Sequence, residues 1–469
     1  MSDPTGRKPR NIPGSVRPLA PNLTRVAWRE SDRFIPRRIV RPLLSFMRTD
    51  RAPAAAMTVA AVVAFVWANT PWHAAYFALW TTPVLLHIGT HVTIDLTLRS
   101  AVNDAGMALF FLLIGVELKT EIARGHLRRP RDALLPAVGA IGGMVVPALC
   151  YFALNTGSAG ERGWGVPMAT DVAFALGIVA LLGARISRPA RAFLLALAIV
   201  DDIGGILIIA LFYTKHFHAL WLIGLAAAIV VAIVLRQADV QSLVPYIALG
   251  ALAWLSLDEA GVEPAIVGVV FGMLAPLDPL HSPGDFRTTV AALANRADRM
   301  VHSDPPRAED AAFALVSLDN FVTQSTAPSR RLELRLSLWV NLAILPLFAL
   351  ANAGVRLAGL ALDRRIFLGV VLGLVAGKVA GIVSFTSGVR KPLRWHLPGS
   401  MTNRELVGVG TSAGVGFSVS LFIAFLAFDQ QSLVASASLG VLTGSAISGL
   451  ASIAFGALFV RRPRAVSPG

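Results

Sequence analysis

The chain is patterned as long apolar blocks separated by short polar connections. Blocks of about 17–25 residues recur along it, and a helix of that length crosses a hydrocarbon core of about 30 Å. The pattern predicts an all-α polytopic membrane protein with about twelve transmembrane helices. The predicted spans are 53–69, 101–119, 133–154, 164–183, 190–213, 218–235, 243–256, 262–278, 332–352, 366–387, 405–427 and 432–460.

The connection between the first two predicted spans has a different period. Within Pro83–Leu98, apolar residues alternate with polar ones from Val92 onward, and Gly89-Thr90 provides a turn. This alternation predicts a small extracytoplasmic β-hairpin, with an irregular loop as the alternative. Because an isolated hairpin is marginally stable in water, we expect it to mediate self-association into a homodimer.

Composition supports a membrane protein and places the positive charge. The chain is 55% hydrophobic and 15% charged, whereas soluble proteins carry about 25% charged residues. The net charge of +14 does not indicate nucleic-acid binding, because eleven Arg and one Lys lie in the first 51 residues. The single cysteine, Cys150, excludes an intramolecular disulfide framework, and no cofactor motif is recognised.

Three segments follow from this distribution. Residues 1–51 are predicted to be a basic, largely disordered cytoplasmic arm, 52–460 the transmembrane domain and 461–469 a basic cytoplasmic tail. The basic connections, including the long 279–331 loop, fall on one side of the membrane if the number of spans is even. By the positive-inside rule that side is cytoplasmic, so both termini are expected to be cytoplasmic.

Two adjacent carboxylates stand in the middle of the fifth span, in ALAIVDDIGG. An ionisable side chain at the bilayer centre costs at least about 2.5–3.5 kcal/mol, so Asp201 and Asp202 are expected to face a cavity or a partner. Two carboxylates in a low dielectric repel each other and accept protons readily, and their oxygens also suit small hard cations. The alternative is a helix cap at a span break, aided by Gly204–Gly205.

Two further spans are predicted to be broken. In the fourth, Pro167 precedes Thr170 and Asp171; the glycine-rich eleventh contains Gly414 and Gly416, and Ser418 supplies a hydroxyl. Interrupted helices in corresponding halves of a chain indicate an inverted-repeat transporter with its site at the breaks. An aspartate that only caps a kink, and close helix packing through small residues, are the alternatives.

Other charged residues in or near spans are candidates for supporting roles. Lys378, in the tenth span, needs an anionic partner among the intramembrane aspartates unless it reaches water at the cytoplasmic boundary. Glu117 and Glu121 follow FFLLIG and are expected to form either a cytoplasmic funnel for cations or a solvated helix end. Glu333 is interpreted in the same way.

Six segments in order resemble the NhaA-type Na⁺/H⁺ antiporters of bacterial membranes, over about residues 45–460. The resemblance implies twelve spans, two discontinuous helices crossing at mid-membrane, and a multi-pass protein of the bacterial inner membrane. The segments are VNDAGMALFFLLIGVELKTE, MATDVAFALG, ALAIVDDIGG, LPLFALANAGV, GKVAG and GVGFSVSLFIAFLAF.

The resemblance also implies roles for individual residues. Asp201 and Asp202 would carry the transported Na⁺ and H⁺, and the nearby Thr170 and Asp171 would belong to the same ion- and proton-binding site. Lys378 would pair with the first aspartate and offset the half-helix ends at the crossing. The hairpin would mediate homodimer formation outside the bilayer, and membrane lipid would surround the spans.

Four departures from the family pattern bear on regulation. The chain has GKVAG where GKPLG is usual, and GFSVS in place of GFTMS. Glu263 replaces a histidine associated with pH response, and the segment around Glu333 lacks the usual histidines. The pH set point is therefore not predicted.

The predicted function is secondary active exchange of cytoplasmic Na⁺ or Li⁺ for protons, electrogenic and pH-regulated. A cation channel and a proton-coupled symporter are the alternatives. A channel would not need carboxylates able to bind protons, and a symporter would need a substrate pocket that the sequence does not indicate. An enzyme is not expected, because an intramembrane hydrolase would place its aspartates on neighbouring helices rather than side by side on one.

Overall fold

The computed structural model describes residues 47, 49, 51–88, 92–125, 128, 130–214, 217–238, 240, 242–279, 283–301, 313, 316–318, 321, 325–393, 396–399 and 401–459. Nearly all of the predicted N-terminal arm, the whole predicted C-terminal tail and much of the 279–331 loop lie outside these ranges.

The described part of the chain is mostly helical. Its α-helices are α1 (Ala52–Ala68), α2 (His73–Trp80), α3 (Leu98–Arg124), α4 (Pro130–Asn155), α5 (Val172–Leu182), α6 (Arg188–Phe212), α7 (Leu222–Gln237), α8 (Leu243–Glu259), α9 (Ile266–Leu274), α10 (Pro283–Val301), α11 (Pro328–Trp339), α12 (Leu345–Asn352), α13 (Arg364–Leu372), α14 (Lys378–Leu393), α15 (Asn403–Ala413), α16 (Phe417–Ala427) and α17 (Gln431–Phe459). Short 3₁₀ segments include Glu161–Met168, and π-helical turns at Val340–Ile344 and Gly373–Gly377 join α11 to α12 and α13 to α14.

The helices are those of a multi-pass membrane protein. Among the residues that the structure describes, eight helices are long and apolar enough to cross a membrane, or up to ten if each of two bent pairs forms one span. One bent pair is α1 with α2, at 117°, and the other is α15 with α16, at 46°. The sharp turn after α1 makes α2 a separate short helix that the sequence pattern did not predict.

The eighth predicted span is shorter than expected. The hydrophobic run suggested a helix over 262–278, but α9 covers only Ile266–Leu274. Pro264 lies before its first turn and Pro276 follows its end, and proline restricts the residue before it and cannot continue a helical ladder. Local backbone chemistry therefore ends this helix before its apolar pattern does.

Two strands lie between α2 and α3. β1 (Pro83–Ile88) pairs antiparallel with β2 (Val92–Thr97), with Pro83 opposite Thr97 and Ile88 opposite Val92. The predicted Gly89-Thr90 turn is outside the described residues. Thr97 ends the strand and caps α3, since its Oγ1 accepts from the Ser100 amide at 3.1 Å. The sheet and the third helix are thus joined without a linker.

The helices that matter for the site pack around α4. A Cβ added at Gly142 on α4 would lie 2.3 Å from the Gly381 carbonyl oxygen on α14, so these two backbones touch. The helix that carries the paired aspartates, α6, packs on α4, α5 and α15 and contacts α3 less. An apolar cluster that includes Phe193, Leu197 and Val409 fills the space between α6 and α15.

Candidate functional site

The paired aspartates lie on an uninterrupted helix. α6 runs from Arg188 to Phe212 through Asp201, Asp202 and both following glycines, so the interpretation of the pair as caps at a span break is wrong. Asp201 is 2% and Asp202 7% exposed. Two carboxylates therefore stand inside the protein on one rigid element.

Lys378 meets one of the two carboxylates. Its Nζ donates to Asp201 Oδ2 at 2.8 Å, and the two side chains are 0% and 1% exposed. Lys378 begins α14 directly after the π-helical turn Gly373–Gly377, a local widening that is frequent at functional sites. The lysine is wholly buried, so the alternative interpretation, in which Lys378 reaches water at the cytoplasmic boundary, is wrong.

The remaining carboxylate oxygens lack donors. Asp201 Oδ1 is buried without a hydrogen-bond partner, and no described residue donates to Asp202. The charges that act on Asp202 belong to Asp201, Asp171, Glu117 and Lys378. Since buried polar atoms are nearly always hydrogen-bonded, carboxylate oxygens without donors are unusual inside a protein and make this pair the candidate site. No group of three or more His, Cys, Asp or Glu side chains that could hold a metal ion occurs in the described ranges.

Two backbone breaks meet beside this pair. The extended residues that precede α5 and the Gly414–Gly416 link between α15 and α16 interrupt two spans, as the sequence predicted. The Thr170 hydroxyl donates to the Ala413 carbonyl oxygen at 2.9 Å. The Asp171 amide donates to the Val415 carbonyl oxygen at 2.7 Å. Two carbonyl groups of the second break and one amide of the first are thus hydrogen-bonded across the breaks, which helps to make irregular backbone tolerable in a span.

Asp171 binds both half-helices. As the N-cap of α5 its Oδ1 accepts from the Phe174 amide at 3.0 Å, while Oδ2 accepts from the Ser418 amide at 3.1 Å and hydroxyl at 2.5 Å. Helix N-termini carry partial positive charge, so this carboxylate is stabilised by two of them at once. The interpretation of Asp171 as a kink cap is correct for α5 and incomplete, because the aspartate also holds α16.

Gly416 is required because the two breaks approach each other closely at this position. A Cβ at this position would lie 2.9 Å from the Ala169 carbonyl oxygen and 2.2 Å from Ser420 Oγ. Close packing and the broken helix are therefore not alternatives here. The glycine allows the second break to approach the first.

The predicted funnel residues are not all together. Glu117 lies on α3, close enough to Glu333 for the two carboxylate charges to repel each other. Glu333 Oε1 accepts from Arg330 at 2.5 Å, and its Oε2 is buried without a donor. Glu121 lies one turn further along α3, next to Gly125, and Glu263 Oε1 accepts from the Ala265 amide before α9 at 3.4 Å.

The sequence interpretation missed two polar residues that fasten α6. Glu405 Oε1 accepts from the Ser187 amide at 2.8 Å, and the Tyr213 hydroxyl bonds the Glu161–Met168 segment. Thr402 with Glu405 forms a capping box at the start of α15, a pattern readable in the sequence as T-x-x-E. No sequence signal distinguishes Tyr213.

The family model described as "Na+/H+ antiporter 1" matches residues 44–455. The chain belongs to this family. Similar curated members include Na(+)/H(+) antiporter NhaA 2 of Sorangium cellulosum, 40% identical over 92% of each chain. Another is Na(+)/H(+) antiporter NhaA 1 of Myxococcus xanthus, 38% identical over 95% of this chain and 96% of the relative.

A third member, Na(+)/H(+) antiporter NhaA of Cupriavidus necator, is 38% identical over 89% of this chain and 90% of its own length. The residues matched by the family model include α1 to α16 and most of α17. The paired aspartates, Lys378 and both breaks all lie inside the matched residues.

Proposed function

We propose that the protein is a secondary active antiporter that expels Na⁺ or Li⁺ from the bacterial cytoplasm in exchange for protons. The observation that carries this proposal is the buried Lys378–Asp201 ion pair with Asp202 free beside it, next to the crossing of two broken spans. Membership of the Na⁺/H⁺ antiporter family supports Na⁺ and H⁺ as the exchanged ions, and Li⁺ is proposed as a second cation. Twelve spans in two inverted repeats, with both termini cytoplasmic in the inner membrane, complete the proposed architecture.

Exchange follows from competition for one site. A sodium ion needs oxygen ligands that carry negative charge. Asp202 offers this charge only when it holds no proton, and Asp201 only when it is released from the protonated Lys378. Protons arriving from outside displace the ion in the same way. Coupling then requires that the site face one side of the membrane at a time.

Lys378 makes the exchange electrogenic in this scheme. When Na⁺ binds, Asp201 leaves the ammonium group, which has lost its counter-charge and releases a proton. One further proton comes from Asp202, so two protons exchange for one monovalent cation. The cycle then moves net charge and responds to membrane potential.

Asp171 and Thr170 maintain the geometry of the ion-binding site, whereas Asp201 and Asp202 bind and release the ions. Their hydrogen bonds hold the two breaks together, which keeps the half-helix ends at a fixed distance from the aspartates. We assign Glu117 and Glu333 to the cytoplasmic approach of cations and to pH response, with Glu121 and Glu263 in secondary positions. The β1–β2 hairpin is assigned to homodimer formation.

The test uses everted membrane vesicles from a host without antiporters, acidified inside and loaded with a pH-sensitive dye. We expect Na⁺ and Li⁺, and not K⁺, to dissipate the gradient for the wild type, and neither to do so for Asp202→Asn. Glu259→Gln, which neutralises an exposed carboxylate at the end of α8, is the matched control and should exchange normally.

The alternatives give other results. A channel would pass Na⁺ without proton movement, so Na⁺ uptake with an unchanged dye signal would contradict the proposal. Electrogenicity is checked in proteoliposomes by imposing a potential with K⁺ and valinomycin. A rate of exchange that is independent of the potential would rule out the unequal stoichiometry.

A further inference from the structure

Both ends of α6 are fastened to the broken spans, each by a different polar side chain. At its N-terminal end, the carboxylate of Glu405 accepts from the Ser187 amide at 2.8 Å and from the Thr402 amide at 2.8 Å. Glu405 is only 4% exposed. One buried carboxylate thus caps α15, which leads into the break at Gly414, and at the same time binds the residue that caps α6.

At the C-terminal end the connection is made by Tyr213, and each of these two connections is called a tie. The Tyr213 hydroxyl donates to the Arg162 carbonyl oxygen at 2.9 Å and accepts from the Gly165 amide at 3.2 Å. Both partners belong to the Glu161–Met168 segment, the first half of the other broken span. A Cβ at Gly165 would lie 2.6 Å from this hydroxyl, so the contact is close.

We propose that Glu405 and Tyr213 are positioning residues that make α6 and the two broken spans one rigid unit. Asp201 and Asp202 then keep a constant position relative to Asp171 whichever side of the membrane the site faces. The inference rests on the proposed exchange function and adds to it the elements that keep the cation site geometry intact during reorientation.

Two kinds of role can be told apart by kinetics. A tie that keeps the site assembled affects cation binding equally from both faces. A tie that closes a gate changes the half-saturating Na⁺ concentration in opposite directions at the two faces, because its loss shifts the populations of inward- and outward-facing states. The half-saturating Na⁺ concentration, measured in everted and in right-side-out vesicles of the same cells, separates the two.

The N-terminal tie can be cut without changing Glu405. Ser187 has φ −64° and ψ 154°, which proline adopts, and Ile186 before it has φ −95° and ψ 125°, which suits a residue preceding proline. Ser187→Pro therefore removes the amide that Glu405 binds. Ser187→Ala is the matched control, since both variants lose the hydroxyl that caps Ala190 and only one loses the amide.

The C-terminal tie can be tested with a variant and a matched control as well. Tyr213→Phe removes the hydroxyl bonds between α6 and the Glu161–Met168 segment. Tyr151→Phe removes a similar bond at 2.7 Å, to the Gly160 carbonyl oxygen, that comes from α4. Only the first of these two variants releases α6.

We expect Ser187→Pro and Tyr213→Phe each to raise the half-saturating Na⁺ concentration by about threefold to tenfold, equally on both faces, as suits the loss of one or two hydrogen bonds. Ser187→Ala and Tyr151→Phe should stay within about twofold of the wild type. Glu405→Gln, which keeps one acceptor oxygen, should lie between the wild type and Glu405→Ala.

Half-saturating Na⁺ concentrations that change differently at the two faces would overturn the proposal in favour of a gate. An unchanged half-saturating Na⁺ concentration with only a lower protein level would overturn it as well. If the wild type itself exchanges no Na⁺ for H⁺, the proposed function fails instead. In that case the ties are still measurable as hydrogen-exchange protection of the Ser187 and Gly165 amides, which the variants Glu405→Ala and Tyr213→Phe should each reduce.

Discussion

The buried ion pair between Lys378 and Asp201 gives a sharp test of how charge is held inside this protein. The pair is 2.8 Å long and both side chains are at most 1% exposed. Removing one partner of a buried pair leaves an uncompensated charge and costs about 3–5 kcal/mol. Lys378→Met, which preserves the length of the side chain, is therefore expected to destabilise the protein by this amount.

The expected loss of stability is large enough to be measured by thermal unfolding. With an unfolding entropy of about 2.1 cal/mol/K per residue, a loss of 3–5 kcal/mol in a chain of 469 residues lowers Tm by roughly 3–5 °C. Thermal unfolding of the purified protein in detergent measures such shifts. The exposed pair Arg124–Asp278, 2.6 Å long with side chains 52% and 88% exposed, is the control. Asp278→Asn should cost less than about 1 kcal/mol.

A double variant decides whether the pair itself is responsible. In Lys378→Met/Asp201→Asn neither charge remains, so Tm should lie above that of Lys378→Met, with a coupling of about 2–3 kcal/mol. Shifts that simply add, with Tm of the double variant below both single variants, would refute the reasoning. They would mean that the two side chains stabilise the fold independently.

Three further variants test the crossing and the packing around it. Gly416→Ala should abolish exchange by pushing the two breaks apart, whereas Gly205→Ala, with no atom within 4 Å of the added Cβ, should remain active in the dye assay. Ser418→Ala should raise the half-saturating Na⁺ concentration severalfold, because it removes the 2.5 Å hydrogen bond to the Asp171 carboxylate that caps α5. Equal half-saturating concentrations for Ser418→Ala and the wild type would show that this contact does not contribute to the site. Asn103→Ala should lower Tm, since it leaves the buried Asn352 amide without its 2.6 Å partner at a cost of about 1–3 kcal/mol, and an unchanged Tm would show that the pair is dispensable.

Features that depend on local chemistry can be predicted from the order of residues alone. Apolar length fixes where a span can lie, and the predicted blocks agree with α3, α4, α6 and α17 within a few residues. Glycine and proline fix where a helix ends, which located the breaks near Asp171 and Gly416. The rarity of charge inside spans singled out Asp201 and Asp202 before any contact was known.

Which of these features meet depends on how the helices pack. The sequence left three aspartates as partners for Lys378, and only packing brings its ammonium group to Asp201, 177 positions away in the chain. The bond between Ser418 and Asp171 joins residues 247 positions apart. The tie from Glu405 to Ser187 spans 218. Hydropathy and turn patterns describe neighbours along the chain, whereas these contacts depend on how closely whole helices approach, and that distance is set by side-chain volumes throughout the core.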